Sequence, residues 1–503
     1  MNADNIIQKI WGLCHILRGD GVSYHEYISE LTYLLFLKIA DETGTDHLLP
    51  EGRRWKDLAS YKGRDLLDHY REMLTFLGAH APSEQVRRIY AFPTTVFSHS
   101  ENLRAVIEGI AQIDWHSVTM DGMGEIYEGL LAKNSQDARS GAGQYFTPRP
   151  LVDCIVRMVR PKAGEIIQDP ATGSGGFLIS ADQYVRASTA GALYQNSPPR
   201  YEGIEIEKGT YRICLMNAFL HQLNAKITLG DALTDDAQAL SEADVILANP
   251  PFGAKAGSAR KMRSDISYAT ANKQLAFLQH IYRGLKPGGR AAVVLPDNVL
   301  FEDGVARKVR NELMDVCDLH TILRLPTGIF YSPGVKTNVL FFTKGRTNRS
   351  NTRRLWVYDM RHNAPKYGKK RPLRREDFSA FEALFGDDPL GRSDRSPRDE
   401  EDRWRCFTRE AIAARSDDLN ISWHAGSDTD PEEALTEPED LASAILVHLR
   451  AAVAEIEAVA DELMDAEEAE VPVVDGSLTM STEASATPRR TPHRHGLADD
   501  YDA

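Results

Sequence analysis

The chain has 503 residues, of which 59 are Lys or Arg, 73 are Asp or Glu and 5 are Cys. This length allows two or three domains with hydrophobic cores, and the ordinary shares of apolar and charged residues exclude a fibrous, collagen-like or wholly disordered protein. Because the cysteines are widely spaced, we expect reduced, mostly buried thiols and neither a disulfide framework nor a metal site.

The sequence predicts neither membrane insertion nor secretion. No stretch approaches about 18 uninterrupted apolar residues, the length that indicates a spanning helix. The first residues, MNADNIIQKIWGLC, lack the basic start, apolar run and cleavage site of a secretory signal. We therefore expect a cytoplasmic protein without a membrane partner.

The formal net charge of −14 is distributed very unevenly along the chain. Residues 425–470 hold 15 acidic residues and the single base Arg450, which accounts for the whole imbalance. Residues 344–375 hold 12 Lys or Arg and the single acid Asp359. A basic segment of this density favours contact with nucleic-acid phosphates; the alternative is a solvated basic loop.

The N-terminal part of the chain predicts helices, and the central part predicts strands. Apolar residues such as Ile6, Ile10 and Leu17 recur at helical spacing within residues 1–132. From about 163 to 345, helical stretches separate seven short apolar runs, which are EIIQD, YEGIEI, KITLGD, DVILANP, AAVVLP, HTILRLP and NVLFFT. Strands that alternate with helices predict an α/β class with a doubly wound, mostly parallel sheet, whose ligands lie beyond the carboxyl ends of the strands.

The C-terminal part of the chain is predicted as a loop, a helix and a tail. Residues 386–403 are polar and rich in turn formers, which indicates an exposed loop. Seven apolar residues from Leu441 to Leu463 form one stripe on a predicted helix. The stripe packs either on the rest of this chain or against a partner, and both alternatives stay open at this point. Residues 471–503 have the composition of a disordered tail.

A glycine-rich turn follows the first predicted strand. The segment DPATGSGGF, Asp169–Phe177, precedes a helical stretch, so its glycines allow a tight turn and its helix offers unpaired N–H groups. A turn of this kind is a weak signal when it stands alone. The segment lacks the Lys of a triphosphate-binding loop, so we do not expect a P-loop.

Acidic residues end the second and third predicted strands. Glu205 and Glu207 close YEGIEIE, and a carboxylate at this position can accept hydrogen bonds from both ribose hydroxyls of an adenosine cofactor; we choose Glu205. Asp231 closes the third strand and can accept from an exocyclic amino group or hold the loop below a purine. The order of a glycine turn, an acid and a second acid favours an adenosine-type ligand over solvated strand ends.

The most specific motif is DVILANPPFG, in which Asn249, Pro250, Pro251 and Phe252 follow an apolar strand. The two prolines fix the backbone and remove two N–H donors. The stiffened loop can direct the side-chain oxygen of Asn249 and the carbonyl of Pro250 at the two hydrogens of one amino group. Phe252 offers a flat face for an extruded base, since an amino nitrogen inside a duplex is out of reach.

These motifs resemble those of adenine-N6 DNA methyltransferases that use S-adenosylmethionine, and in particular the modification (M) subunits of type I restriction-modification systems. Besides DPATGSGGF, GIEIE and NPPF, the segments GAGQYFTPRP, LTYLLFLKIADE, GEIYEGLL and DLNISW look like segments of this family. The order of the motifs is that of the family's gamma arrangement. The resemblance implies that the predicted sheet is an S-adenosylmethionine-dependent methyltransferase sheet, between the helical N-terminal domain and a C-terminal helix.

The resemblance also implies a set of site residues. The catalytic motif is Asn249–Phe252. The implied cofactor-binding residues are Gln144, Tyr145, Phe146, Thr147, Pro148, Arg149, Asp169, Thr172, Gly173, Ser174, Glu205 and Asp231. No metal is expected.

The expected activity is direct methyl transfer to N6 of a flipped adenine at a specific DNA site, without a covalent enzyme intermediate. A cytosine-C5 reaction is excluded because it needs a cysteine nucleophile next to a proline, and none of the five cysteines is so placed. Two alternatives stay open, namely a solitary or non-DNA amino-methyltransferase, which acts on a protein glutamine or on RNA, and a non-catalytic cofactor-sensing scaffold.

The resemblance further implies partners and domains. The expected partners are double-stranded DNA, a specificity (S) subunit, a second copy of the chain and, as an open addition, a restriction (R) nuclease subunit. The expected domains are a helical domain at 1–132, the catalytic domain at 133–345, a basic extension with loops at 346–430, a partner-binding helix at 431–470 and the tail at 471–503.

Overall fold

The computed structural model describes residues 3–18, 21–22, 24–115, 120–135, 147–253, 262–330, 336–368, 371–395 and 403–424. Gln144, Tyr145 and Phe146, the predicted helix at 431–470 and the predicted tail lie outside these ranges. The same is true of residues 396–402 within the predicted loop 386–403.

The N-terminal part of the chain is helical, which confirms the prediction. The periodic residues Ile6, Ile10 and Leu17 are buried. Glu30 is buried too, and it accepts hydrogen bonds from Tyr70 Oη at 2.6 Å, Thr95 Oγ1 at 2.9 Å and the backbone N of Val96 at 3.0 Å. The helices are α1 Ala3–Arg18, α2 Tyr24–Glu42, α3 Trp55–Ser60, α4 Arg64–His80, α5 Glu84–Ile89, α6 Ser100–Ala111 and α7 Met120–Ser135.

The described residues contain a mixed sheet of nine strands in the order β3-β2-β1-β4-β5-β7-β6-β8-β9. Strands β7 and β9 run antiparallel to their neighbours, and the remaining pairs are parallel. The strands are β1 Ile166–Asp169, β2 Arg200–Glu205, β3 Ala225–Leu229, β4 Ala243–Ala248, β5 Leu285–Pro296, β6 Cys317–Leu325, β7 Thr337–Lys344, β8 Arg354–Asp359 and β9 Trp404–Thr408. The mostly parallel α/β sheet is therefore confirmed.

All seven predicted strands are present, and two more extend the sheet. Strand β8 pairs with β6, and β9 pairs with β8. Both lie in the segment that the sequence predicts as a basic extension with loops, so the sheet continues beyond the boundary predicted at residue 345.

Helices cover both faces of the sheet. One face shares a continuous apolar core with the N-terminal helices, and the other face has a core of its own. Central strands are buried on both faces, which explains the apolar run at residues 245–248 of β4. The helices of this part are α8 Arg149–Val159, α9 Gly176–Ser188, α10 Gly191–Asn196, α11 Lys208–Leu220, α12 Lys273–Gly284, α13 Asn298–Phe301, α14 Val305–Val316, α15 Ser379–Phe385 and α16 Arg409–Ala414.

Two buried arginines fix the segment DLNISW against the sheet. Arg324 pairs with Asp359 at 3.0 Å and donates to the carbonyl of Ile421 at 2.9 Å. Arg310 donates to the carbonyl of Asp417 at 2.8 Å. The last described residues therefore lie at the end of β6, the same edge as the carboxyl ends of the parallel strands.

The five cysteines form no disulfide; four are buried and Cys406 is partly exposed. No helix in the described ranges is long and apolar enough to cross a membrane. Within the same ranges, no group of three or more His, Cys, Asp or Glu side chains is placed to bind a metal ion.

Candidate active site

The structure contains a cavity of about 330 Å³. It lies at the switch point of the sheet, where β1 to β3 extend in one direction and β4 and β5 in the other. It lies beyond the carboxyl ends of β1, β2, β3 and β4, the usual position of ligands in doubly wound folds. Eleven predicted site residues line it, namely Thr147, Arg149, Asp169, Thr172, Gly173, Ser174, Glu205, Asp231, Asn249, Pro251 and Phe252. Pro148 and Pro250 are buried beside it and do not line it.

The glycine turn packs tightly against β2. Gly173 and Gly175 have φ of +56° and +84°, in the left-handed region that favours glycine. Thr172 donates from its backbone N and from Oγ1 to the carbonyl of Ile204, both at 3.0 Å. A Cβ atom on Gly203 of β2 would collide with Thr172 Oγ1, so this close approach requires glycine at 203.

Two carboxyl groups face each other across the turn. Burial raises the pKa of Asp169 to about 8, and the nearby Glu205 carboxylate adds to the rise. Burial also raises the pKa of Glu205 to about 7, although hydrogen bonds from the backbone N of Glu207 at 2.8 Å and of Gly173 at 2.9 Å oppose the shift. Such groups favour a ligand that donates hydrogen bonds or carries positive charge, because it stabilises the carboxylate form.

The structure separates the roles of the two glutamates that end the second strand. Glu205 holds the glycine turn and faces the cavity. Glu207 also lines the cavity, but its carboxylate caps α11 by accepting from the backbone N of Gly209 at 2.8 Å and of Thr210. Asp231 lines the cavity and accepts from the backbone N of Leu233 at 2.9 Å.

Asn249 lies directly after β4 with its amide oriented by one hydrogen bond. Its Nδ2 donates to Thr147 Oγ1 at 3.0 Å. Its Oδ1 is buried and has no hydrogen-bond partner among the described residues. A buried acceptor without a donor costs about 1–3 kcal/mol, so this atom is suited to a ligand N–H or O–H group. Next to it, Pro251 and the half-buried Phe252 form a wall of the cavity.

Several lining residues were not predicted from the sequence. Ile206 forms the rim and is 63% exposed, while Leu233 and the buried Phe277 add apolar surface. Glu128 binds Arg149 at 2.7 Å and so joins α7 to the cavity. Lys273 starts α12, and its backbone N donates to the carbonyl of Gly253 at 3.1 Å. Ile206 could have been found from its position between two acids at a strand end; the other four carry no signal in a single sequence.

Helix α11 contacts both the glycine turn and the N-terminal helices. Its Asn217 donates from Nδ2 to the carbonyl of Ser174 in the glycine turn at 2.9 Å. Its Arg212 donates to Ser29 Oγ on α2 at 2.8 Å and lies over the ring of Tyr33. The helical domain thus reaches the glycine turn through one helix.

Comparisons with known proteins agree with this geometry. A family model described as N-6 DNA Methylase matches residues 118–433, and one described as HsdM N-terminal domain matches residues 6–49. The chain is 42% identical to the type I restriction enzyme StySPI methylase subunit of Salmonella potsdam, over 93% of this chain and 97% of that protein. It is also 42% identical to the EcoKI methylase subunit of Escherichia coli (strain K12), over 94% and 97% of the two chains. The crystal structure of the EcoKI M protein superposes with a TM-score of 0.53 at 37% identity, over 94% of this chain and 100% of that chain.

Proposed function

The chain belongs to the N-6 DNA methylase family as a methylase subunit of a type I restriction-modification system, and on this premise we propose that it methylates adenine N6 in double-stranded DNA with S-adenosylmethionine as the methyl donor. The resemblance found in the sequence is confirmed at the level of the family. The cofactor, the roles of the site residues and the specific partners belong to the proposal.

The cavity residues fit S-adenosylmethionine. The volume of the cavity lies within the range of about 300–1,000 Å³ that is typical of small-molecule pockets. Glu205 would accept hydrogen bonds from the ribose hydroxyls. Asp231 would lie at the purine end, with Ile206, Leu233 and Phe277 as apolar walls. The glycine turn, Asp169 and the segment Gln144–Arg149 would hold the remaining part.

The substrate amine would be bound by the catalytic motif. Asn249 Oδ1 and the carbonyl of Pro250 would accept the two N–H bonds of adenine N6, which keeps the nitrogen lone pair available for attack. Bound S-adenosylmethionine supplies an electrophilic sulfonium methyl group. Phe252 would stack on the base after it leaves the duplex. No cysteine lines the cavity, which supports direct transfer without a covalent enzyme intermediate.

The remaining partners follow from the family. We include a specificity (S) subunit that selects the DNA site, a second copy of this chain and, as an open addition, a restriction (R) nuclease subunit. We assign contact with the specificity subunit to the predicted helix 431–470, which lies outside the described residues. We keep the other domain boundaries as proposals and extend the sheet beyond residue 345, because β8 and β9 belong to it.

One observation carries the proposal: Asn249, whose buried Oδ1 has no hydrogen-bond partner among the described residues, lines the same cavity as Asp169 and Glu205, whose pKa values are raised. The cavity therefore combines an acceptor for an amine with acceptors for a polar or cationic cofactor. This combination supports transfer to an amino group over simple nucleotide binding.

The test is mass spectrometry of N6-methyladenine in unmethylated DNA incubated with S-adenosylmethionine and the purified chain, alone and with its specificity partner. We expect product only with the partner. Product from the chain alone would indicate a solitary methyltransferase. Cofactor binding without product in either reaction would contradict the proposal and favour a scaffold or another substrate.

A further inference from the structure

The basic segment 344–375 is divided between two opposite edges of the sheet. Strand β7 runs antiparallel to both β5 and β6, so its last residue, Lys344, lies at the edge where the parallel strands begin. Strand β8 runs parallel to β6, so Arg354 lies at that same edge and Asp359 lies at the carboxyl edge. The six residues of β8 separate the two edges by about 20 Å, at about 3.3 Å per residue.

Four exposed arginines lie at the amino edge: Arg346, Arg349, Arg353 and Arg354. Their loop is held at this edge because the backbone N of Gly345 donates to the carbonyl of Val316 at 2.9 Å, next to the start of β6. We call these four residues the amino-edge group. The cavity lies at the opposite edge.

Four other exposed bases lie at the carboxyl edge: Lys366, Arg371, Arg374 and Arg375. A Cβ atom on Gly328, in the loop that follows β6, would collide with the carbonyl of Tyr367, which places this part of the chain at that edge. We call these four residues the cavity-edge group. Lys369 and Lys370 lie outside the described residues and are not included.

The cavity-edge group is also linked to the cavity itself. Arg375 starts a 3₁₀ turn, Arg375–Phe378, that packs against α8. Helix α8 begins at Arg149, which lines the cavity. Further along, Arg157 of α8 binds Glu382 of α15, so α8 and the chain after the 3₁₀ turn lie side by side.

The charges of the cavity-edge group are largely available to a ligand. Two acids lie among the four bases: Glu376 is exposed, and Asp377 is 3.9 Å from Arg371, whose side chain is 57% exposed. A pair with this exposure and distance is weak. In contrast, Arg361 of the same basic segment is 6% exposed and bound to Asp297, and so is not part of the surface.

We propose that Lys366, Arg371, Arg374 and Arg375 bind backbone phosphates of the substrate duplex beside the adenine that enters the cavity, and that the amino-edge group does not contact this duplex. The inference rests on the proposed function. A duplex that presents a flipped base to the cavity lies over the carboxyl edge, and residues about 20 Å away at the other edge are out of its reach. Phosphate contacts fix the position of a duplex without reading its sequence.

The experiment compares two full-length variants that lose the same charge. One is K366Q/R371Q/R374Q/R375Q and the other is R346Q/R349Q/R353Q/R354Q. Each is assembled with the specificity partner, and its affinity for an unmethylated target duplex is measured by fluorescence anisotropy from about 50 to 200 mM salt. Affinity for S-adenosylhomocysteine, measured by calorimetry, serves as the control for correct folding of the cavity.

We expect the cavity-edge variant to reduce the slope of log affinity against log salt by about 3–4, at about 0.9 per lost phosphate contact. Its affinity at low salt should fall more than about tenfold, while the amino-edge variant keeps the wild-type slope. A triple variant R371K/R374K/R375K should also keep that slope, because the slope depends on the number of neutralised phosphates and Lys carries the same charge as Arg.

Equal losses of DNA affinity and of salt slope in both variants would overturn the inference, since they would indicate a general effect of net charge. An unchanged or increased DNA affinity of the cavity-edge variant would overturn it as well. The proposed function is tested separately, and it fails if the wild-type complex binds the duplex and the cofactor but transfers no methyl group. In that case the slopes of log affinity against log salt still show which residues bind the phosphates.

Discussion

Asn249 Nδ2 donates to Thr147 Oγ1 at 3.0 Å, and in this orientation the Oδ1 end of the amide is left without a partner among the described residues. The contact holds the Asn249 side chain at the cavity wall, and an acceptor oxygen, unlike an amide N–H, can bind a substrate amine. The residue that holds the Asn249 side chain thus comes from the segment before α8, far from Asn249–Phe252 in the sequence.

Replacing Thr147 by Val should therefore slow methyl transfer. The change removes the hydroxyl at nearly constant volume, and loss of a hydrogen bond worth about 0.5–1.5 kcal/mol predicts a fall in kcat of about 2- to 12-fold. Thr147→Ser, which keeps Oγ, should stay close to wild type. Single-turnover methylation kinetics provide the measurement, and equal rates for the two variants would contradict the orienting role.

Replacing Asn249 by Ala should abolish transfer and leave cofactor binding almost intact. The side chain is proposed to contact the substrate amine, and the cofactor is proposed to bind mainly through β1, β2 and β3. Calorimetry with S-adenosylhomocysteine and methylation assays on the same preparation measure the two properties. Loss of both together would refute the role given to Asn249.

Replacing Phe252 by Ala should weaken capture of the flipped adenine. Stacking of a base on an aromatic ring contributes about 1–3 kcal/mol, so the apparent affinity for the extruded base should fall about 5- to 150-fold. A duplex with 2-aminopurine at the target position reports extrusion by fluorescence. Unchanged fluorescence and unchanged methylation kinetics would contradict the stacking role.

The contribution of Asp169 and Glu205 to the stability of the cofactor-free protein should fall as the pH rises from about 5 to 8. Unfolded Asp and Glu titrate at a pKa of about 4, whereas the folded values of Asp169 and Glu205 are about 8 and 7, so the folded state holds more protons in this interval. The contribution of these protonated groups to the free energy of unfolding has its full value below the pKa that the groups have in the unfolded chain. It is lost as the pH rises through the folded pKa.

Thermal melting of Asp169→Asn from pH 5 to 9 tests this prediction. The variant should show a smaller fall in Tm than the wild type, because an amide cannot lose the proton. Asp68→Asn, at a side chain that is 71% exposed, is the matched control and should follow the wild type. Parallel melting curves for all three proteins would show that the Asp169 carboxyl does not titrate in this range.

Replacing Gly203 by Ala should displace the glycine turn. The added Cβ would collide with Thr172 Oγ1 and lie 3.1 Å from the carbonyl oxygen of Asp169, so the turn has to shift. Because overpacking costs about 1–3 kcal/mol, affinity for S-adenosylhomocysteine should fall about 5- to 150-fold. Gly191→Ala on α10 meets open space and should bind as the wild type does. Tight binding by G203A would mean that the turn tolerates the shift.

The sequence predicts the central part of the fold because its strands are mostly buried and appear as short, largely apolar runs between helical stretches. Strand β8, RLWVYD, was missed because it lies in a segment dominated by charge. Strand β9, WRCFT, was missed because it is short and follows a polar loop. Both are edge or near-edge strands, whose polar residues weaken the pattern.

The sequence predicts those residues of the candidate site that lie in contiguous motifs, as in DPATGSGGF and NPPF. It does not predict lining residues that stand alone on a helix packed against the sheet. Phe277 reads as part of an ordinary amphipathic helix, and only the fold places it against the cavity. The same limit applies to the basic segment, which looks uniform in the sequence although strand direction sends its halves to opposite edges.

Helix α11 connects the helical domain to the sheet, so we expect the two parts to unfold as one unit. Because Arg212 holds the N-terminal helices and Asn217 holds the glycine turn, opening of either end exposes the apolar core that both parts share. Native-state hydrogen exchange should therefore report a single slow cooperative unit that includes α2, α11 and β1. Cofactor binding at the turn should then slow hydrogen exchange in α2 as well. The exchange rates of the α2 amide protons would therefore report whether the cavity is occupied.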